Sequence, residues 1–301
     1  LFEPPRPLIA VEVRARTLGA VRMVREGATR RVAAAAVVPL PEGALSFSMT
    51  LPNVVDAQAF RDALRALFER IGGLSETQIA LVLPDPVARI IVLPASETPA
   101  PKGTPSGEIL RFRLRGKLPF DVREARLAEQ ALPRGNGRSA SLVAVIHRLV
   151  LASYEEACRS ADLEPGLIEM CTLCLERSLA HASSGDRLVI NWEDRYTSLV
   201  LSRAGAPLLV RTLPGPTGLG EVVREVSNTL MYHRERLGGT AIEQAYLRSC
   251  ALPVTQAAEL LSSPLGLTPA IIDPIGACDT ADLEETSQAV AAAAACVQSA
   301  T

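Results

Sequence analysis

Few residues of this 301-residue chain are of a type and spacing that could do chemistry. Cys171 and Cys174 lie three apart and share a face if they are helical, which suits a metal only when two further ligands converge. No second pair follows, and neither His181, the nearest histidine, nor His147 or His233 stands at a ligand spacing. The pair therefore reads as buried structural thiols, and no metal is expected. Gly215, Gly218 and Gly220 precede a helix start but match neither a phosphate loop nor a dinucleotide fingerprint, so they read as a flexible connection. There is no Gly-x-Ser-x-Gly elbow and no His-Glu-x-x-His helix, and Glu155 and Glu156 read as a solvated helix face. These residues make no catalytic constellation, and the chain is not expected to be an enzyme.

One charged run stands out. Arg111, Arg113, Arg115 and Lys117 alternate with Phe112 and Leu114. The run reads either as a solvated helix with snorkelling arginines or as a surface for acidic headgroups or an acidic partner tail.

Bulk properties narrow the partners. A net charge of -2 and an aromatic content of 4% give neither a basic field for phosphates nor platforms for stacking bases, so nucleic acid is not an expected partner. The apolar stretches 32–40 and 289–297 fall short of the roughly 20 residues needed to span a bilayer. The opening Leu1-Phe2-Glu3-Pro4-Pro5 lacks the regions of a secretory signal, and the six cysteines are scattered, so reduced thiols in the cytoplasm are expected.

The elements that must position these residues come in two matching sets. Apolar runs at 8–13, 18–24 and 31–38, with a turn at Arg25-Glu26-Gly27, predict a strand meander. The same order recurs at 188–192, 198–202 and 208–213, with a turn at Arg203-Ala204-Gly205, and proline follows both times at Pro39 and Pro214. This repeat predicts two lobes of like topology. After the first meander, Phe60, Leu64, Leu67, Phe68 and Ile71 predict a helix over 57–71 stopped by Gly72-Gly73, and 78–84 reads as a buried strand. A strand at 90–93 and a mobile loop at 98–107 lead into a small unit, with helices at 108–118 and 149–161 around strands at 125–132 and 141–145 that turn at 134–137. A strand at 167–170, a helix at 171–181, a boundary near 183–186, a helix at 221–237, a strand at 242–247 and a closing Ala-rich helix at 289–297 complete the reading.

Two meander lobes, an inserted subdomain and a closing helix resemble the actin-like (RNase H-like) α/β fold, and specifically the PilM family of type IV pilus assembly proteins. Pro7-Leu8-Ile9-Ala10-Val11-Glu12-Val13 is similar to that family's opening strand, Leu118-Pro119-Phe120-Asp121 to its proline-phenylalanine stretch, and Ala161-Asp162-Leu163-Glu164-Pro165 to its Ala-Gly-Leu-x-Pro turn. The order of elements from Arg211 to Leu247 also fits. The cytoplasmic domain of the related GspL proteins of type II secretion competes with this resemblance. It implies a first lobe over 1–185 with the insertion at about 94–160, a second lobe over 186–301, and a C-terminal helix at about 286–299 returning to the first lobe.

The resemblance also implies where a nucleotide would sit. Nucleotide-binding members of the fold carry Asp-x-Gly after the first strand, where glycine lets the backbone approach the phosphates and the acid positions a metal. Here Glu12 and Arg14 stand in those places. The matching turn of the second lobe holds Asn191 and Glu193, and the adenosine-side element at Arg248, Ser249 and Cys250 lacks glycine. The expectation is a degenerate nucleotide site with no cofactor, and an adaptor rather than an ATPase with altered loops. The implied partners are the short cytoplasmic tail of a PilN-like membrane protein, the assembly ATPase and, as a further option, another copy of the chain, all at the inner face of the inner membrane. The tail is expected to add to a sheet edge or to lie in a groove between the first lobe and its insertion, with Arg111, Arg115, Lys117, Pro119 and Phe120 as candidate contacts.

Overall fold

Strand β1 (Ile9–Val13) is buried along its whole length, and that length is too short to bury anything unless other strands pair with it on both sides. They do. β2 (Thr17–Glu26) runs antiparallel to it, and β3 (Thr29–Pro39) pairs antiparallel with β2. Helix α1 (Ala57–Ile71) then crosses to β4 (Gln78–Leu83), which is parallel to β1 on its other side. Asp56 caps α1 by accepting from the Ala59 amide at 2.9 Å, and Gly72 ends it with φ 66°, a left-handed conformation that favours glycine. The computed structural model describes residues 6–27, 29–73, 75–94, 106–133, 139–179, 185–215, 218–239, 241–275 and 283–298. Residues 98–105 of the loop expected at 98–107, the turn at 134–137, His181 and residues 183–184 of the expected boundary lie outside the described residues, and the last two residues of that loop, Ser106 and Gly107, are helical instead.

The inserted unit consists of β5 (Ala88–Leu93), α2 (Ser106–Leu114), β6 (Ala125–Pro133) and β7 (Ser139–His147), its strands ordered β5-β7-β6. Leu110 and Leu114 of α2 pack on Leu93, Val143 and Val145. Helix α3 (Arg148–Arg159) leads to β8 (Glu164–Met170), which joins β4 in parallel, and α4 (Cys171–Ser178) follows at once. The first sheet therefore reads β3-β2-β1-β4-β8.

The second lobe repeats this plan. β9 (Asp186–Trp192), β10 (Tyr196–Arg203) and β11 (Ala206–Pro214) form the meander. Helix α5 (Leu219–Arg236) crosses to β12 (Gln244–Ser249), parallel to β9, and α6 (Val254–Leu265) crosses to β13 (Ala270–Ile271). The sheet order is β11-β10-β9-β12-β13, the same pattern as before. Helix α6 has no counterpart among the elements predicted from sequence, although Val254, Ala257, Ala258 and Leu261 are buried at i, i+3, i+4 and i+7. α4 ends at Ser178, three residues short of the predicted end, and β8 begins three residues earlier than predicted.

Helices α7 (Leu283–Ala289) and α8 (Ala291–Gln298) close the chain. α8 is apolar all round, as a fully enclosed helix must be, and Ala291 to Val297 are completely buried. It packs with α4 between the sheets, touching a cluster that includes Ala10 and Val82 of the first and Val189 and Val200 of the second. First-lobe side chains hold both of its ends. Glu12 accepts from the Ala293 amide at 3.0 Å near the N-terminus, while Arg6 and Arg30 donate to the carbonyls of Cys296 and Val297 at 2.6 and 3.0 Å. That charge pattern complements the helix dipole. Gly19 makes the approach feasible, because a Cβ there would lie 2.9 Å from the Ala289 carbonyl oxygen.

Candidate functional site

In α/β folds the carboxyl ends of parallel strands face a crevice where ligands bind. In this protein β1, β9 and β12 deliver polar side chains near their carboxyl ends to the space between the sheets, and the segments just past β4 and β8 add Asp85 and Thr172. Alternation along β1 sends Val11 and Val13 to the outer core and Ala10 and Glu12 inward. On β9 it sends Ile190 and Trp192 outward, which leaves Val189 and Asn191 inward. Arg248 of β12 stands in register with Asn191.

The result is a closed network of charges. The Arg248 guanidinium is completely buried and donates through Nη2 to Glu12 Oε1 at 2.5 Å and through Nη1 to Asn191 Oδ1 at 2.9 Å and to Glu193. Its Nε donates to the Gln288 carbonyl at 2.7 Å, at the end of α7. Arg14, in the turn after β1, donates to Glu193 through Nε at 3.1 Å and Nη2 at 3.0 Å. Two carboxylates and two guanidiniums thus neutralise each other, the arrangement that buried charges require. A second cluster adjoins it. Asp85, just past β4, accepts from the Thr172 amide at 3.1 Å and from its hydroxyl, capping the start of α4, and Asn191 Nδ2 donates to Thr172 Oγ1 at 2.9 Å.

Burial and pairing pull the carboxyls in different directions. Burial raises the pKa of Glu12 above its ordinary value, and Arg248 only partly offsets this. Burial also pushes Glu193 upward, but Arg14 and Arg248 together outweigh it and hold Glu193 below its ordinary value. The difference is the second cation. Asp85 has only hydrogen-bond donors against its desolvation and is raised.

All the positions predicted to form the degenerate nucleotide site therefore lie in or beside one cluster. Glu12, Arg14, Asn191, Glu193 and Arg248 bond within it. Ser249 turns aside to donate to the Leu252 carbonyl at 2.9 Å, and its amide bonds Gln288 Oε1. Cys250, whose thiol burial pushes up to about 12, lines a 420 Å³ cavity with Arg14 and Val254. The negative charge of Glu193 is matched by its two arginines. Sequence reasoning missed Asp85, Thr172 and Gln288. Of these only Asp85 carried a signal, an acid set between Pro84 and Pro86 directly after a buried strand.

The cysteine pair splits between two environments. Cys171 Sγ receives Asn191 Nδ2 at 3.4 Å and Arg248 Nη1 at 3.6 Å, whereas Cys174 meets Cys296 of α8, and that contact together with burial pushes its pKa well up. No group of three or more potential metal ligands occurs among the described residues. His147 lies edge-on to Phe120 at 4.9 Å between centroids, and buried His233 bonds Asp186 at 2.5 Å.

Two surface hollows flank the insertion. Arg115 and Phe120 border one of 460 Å³ with Asp121 and Arg123 on the outer side, where the Arg115 guanidinium lies 5.5 Å from the Phe112 ring centre. Lys117 and Pro119 are exposed nearby, and Arg111 is half-buried. The other is a groove of 570 Å³ lined by segments from the first lobe, the insertion and the second lobe. Leu45, Phe47 and Met49 give it apolar surface, and Arg16, Arg89 and Arg195 border it. Phe47 packs edge-on against Tyr196 at 6.4 Å, and Asn191 Nδ2 reaches the Tyr196 hydroxyl at 3.5 Å, so groove and ion network touch through one ring. None of the five predicted partner-binding residues lines this groove.

No family model and no curated protein matches the chain. Among solved structures, a chain of a PilM–PilN type IV pilus biogenesis complex superposes with a TM-score of 0.83 at 20% identity, covering 97% of this chain and 98% of that one. The fold is actin-like. A Bacteroides thetaiotaomicron protein with an actin-like ATPase fold and unknown function gives a TM-score of 0.49 at 10% identity over 94% of both chains. The cytoplasmic domain of EpsL, an inner-membrane component of the Vibrio cholerae type II secretion system, gives 0.47 at 9% identity over 80% of this chain and 81% of that one. No helix among the described residues is long and apolar enough to cross a membrane.

Proposed function

We propose that this chain is a non-catalytic scaffold of a type IV pilus assembly machine, working at the cytoplasmic face of the inner membrane. In this reading it holds the tail of a PilN-like membrane protein as an extended peptide. The observation that carries the reading is the ion network. At the strand ends where the fold would seat phosphates and a metal, Arg248 occupies the space, and Glu12 and Glu193 are already engaged by arginines. A magnesium nucleotide needs carboxylates free to ligate, directly or through water, and backbone that phosphates can approach. Arg14 and Glu193 meet neither need, so the residues present do not fit that group and no hydrolytic step is assigned to them.

The 570 Å³ groove suits a partner, because its half-buried Phe47 and Met49 can receive apolar side chains of an extended segment. A solved structure of like fold belongs to a PilM–PilN complex, which suggests the partner class. Relay from the tail to an assembly ATPase is the role such a scaffold would serve. Isothermal calorimetry with a synthetic tail of a PilN-like protein tests this directly. Saturable binding of one tail per chain is expected, and absence of heat at millimolar peptide would overturn the docking reading.

A further inference from the structure

The network is more than a filled site, because one side chain in it bonds to both sheets and to α7. Arg248 belongs to the second sheet and reaches Glu12 of the first sheet, Asn191 and Glu193 of its own, and the carbonyl of Gln288 on α7. Glu12 in turn bonds the start of α8. A fully buried guanidinium is costly to desolvate, and replacing such a group by well-packed apolar residues is often neutral or stabilising, so general stability is a poor reason for its presence. Fixing one arrangement of parts is a better one, because its planar fork satisfies several partners only in a single geometry.

We infer that Arg248 is a built-in ligand of the interlobe crevice, a tethered cation that holds the lobes in one closed arrangement without any bound small molecule. The same closure shapes the groove. Arg14 bonds Glu193 while the neighbouring Arg16 and Arg195 border the groove, and Phe47 of the groove rests on Tyr196, which Asn191 touches. This coupling to the groove rests on the docking reading above, whereas the clamp itself does not.

The test uses nitroxide pairs introduced at exposed Gln58 of α1 and Glu259 of α6, one on the outer side of each sheet. The parent chain is expected to give a single narrow interlobe distance in the absence of nucleotide. Arg248→Ala should broaden and lengthen that distribution, and millimolar methylguanidinium should restore it where methylammonium does not. A narrow, unchanged distribution in folded Arg248→Ala overturns the clamp. If that variant does not fold, Arg248→Lys carries the same test. It keeps the charge without the fork, so a broadened distribution supports the clamp and an unchanged one overturns it. Tail affinity should fall about tenfold in whichever variant folds. Unchanged affinity despite a broadened distribution overturns the coupling alone, and absence of tail binding in the parent chain overturns docking while the distance test still decides the clamp.

Discussion

Arg14 and Glu193 occupy equivalent places in the two lobes, 179 residues apart, and bond to each other. Each is the first residue past the first strand of its meander, and each donates its amide to the carbonyl three residues on, Thr17 or Tyr196. The repeat thus brings two like turns face to face with opposite charges. Glu12 and Asn191 are related in the same way, one on each opening strand, and Arg248 bonds both.

The two glutamates should respond differently to neutralisation. Glu193 is depressed, so its contribution to stability is complete above its unfolded value of about 4.5 and is lost as pH falls through its lower folded value. Glu12 is raised, so what it contributes is complete below that unfolded value and is lost as pH rises through its higher folded one. At neutral pH, Glu193→Gln should therefore cost about 3 kcal/mol and Glu12→Gln clearly less. Urea melts over the acid-to-neutral range test this, with a shallower acid limb expected in Glu193→Gln. Equal losses at neutral pH would show that the second cation does not matter.

Magnesium ATP should leave the melting temperature unchanged. Ligand at a hundredfold excess over its dissociation constant adds about 2.7 kcal/mol, which thermal scanning resolves easily. A saturable upward shift at millimolar nucleotide would contradict a retired site.

Substitutions separate the two hollows beside the insertion. Phe47→Ala in the groove should weaken tail binding about tenfold or more by calorimetry. Arg115→Glu with Lys117→Glu, on the outer side, should leave it within about twofold, as rim charges usually do. The reverse result would move the docking site to the basic run.

Thr172 joins Asp85 to Asn191 by donating to one and accepting from the other. Thr172→Val keeps the shape but removes one buried hydrogen bond from each partner, and should cost about 2–4 kcal/mol in chemical denaturation. Thr172→Ser should recover most of that loss, and a failure to do so would point to packing rather than hydrogen bonding.

Gly19 has no room for a side chain, since an added Cβ meets Val290 Cγ1 at 2.7 Å as well as backbone of Ala289. Gly19→Val should destabilise by about 3 kcal/mol through displacement of the α7–α8 junction. A matching melting temperature in the variant would mean that the junction yields freely.

Much of this protein follows from local pattern. Period-two alternation, helical spacing and the repeated turn chemistry are properties of neighbouring residues, so the two meanders, α1, α5 and the enclosed Ala-rich helix could be read directly, and the actin-like plan follows from their order. The departures at Glu12, Arg14, Asn191, Glu193 and Arg248 were legible as residue types. Their meaning was not. As residue types, Arg14 and Glu193 are only departures from a phosphate-binding pattern, whereas the fold makes each the other's counterion and sets Arg248 between carboxylates up to 236 positions away. Charge acts through space with a strength set by burial, and neither distance nor burial is a property of a residue's neighbours in sequence. Only the packing of one sheet against the other decided that these five side chains form a single neutral network.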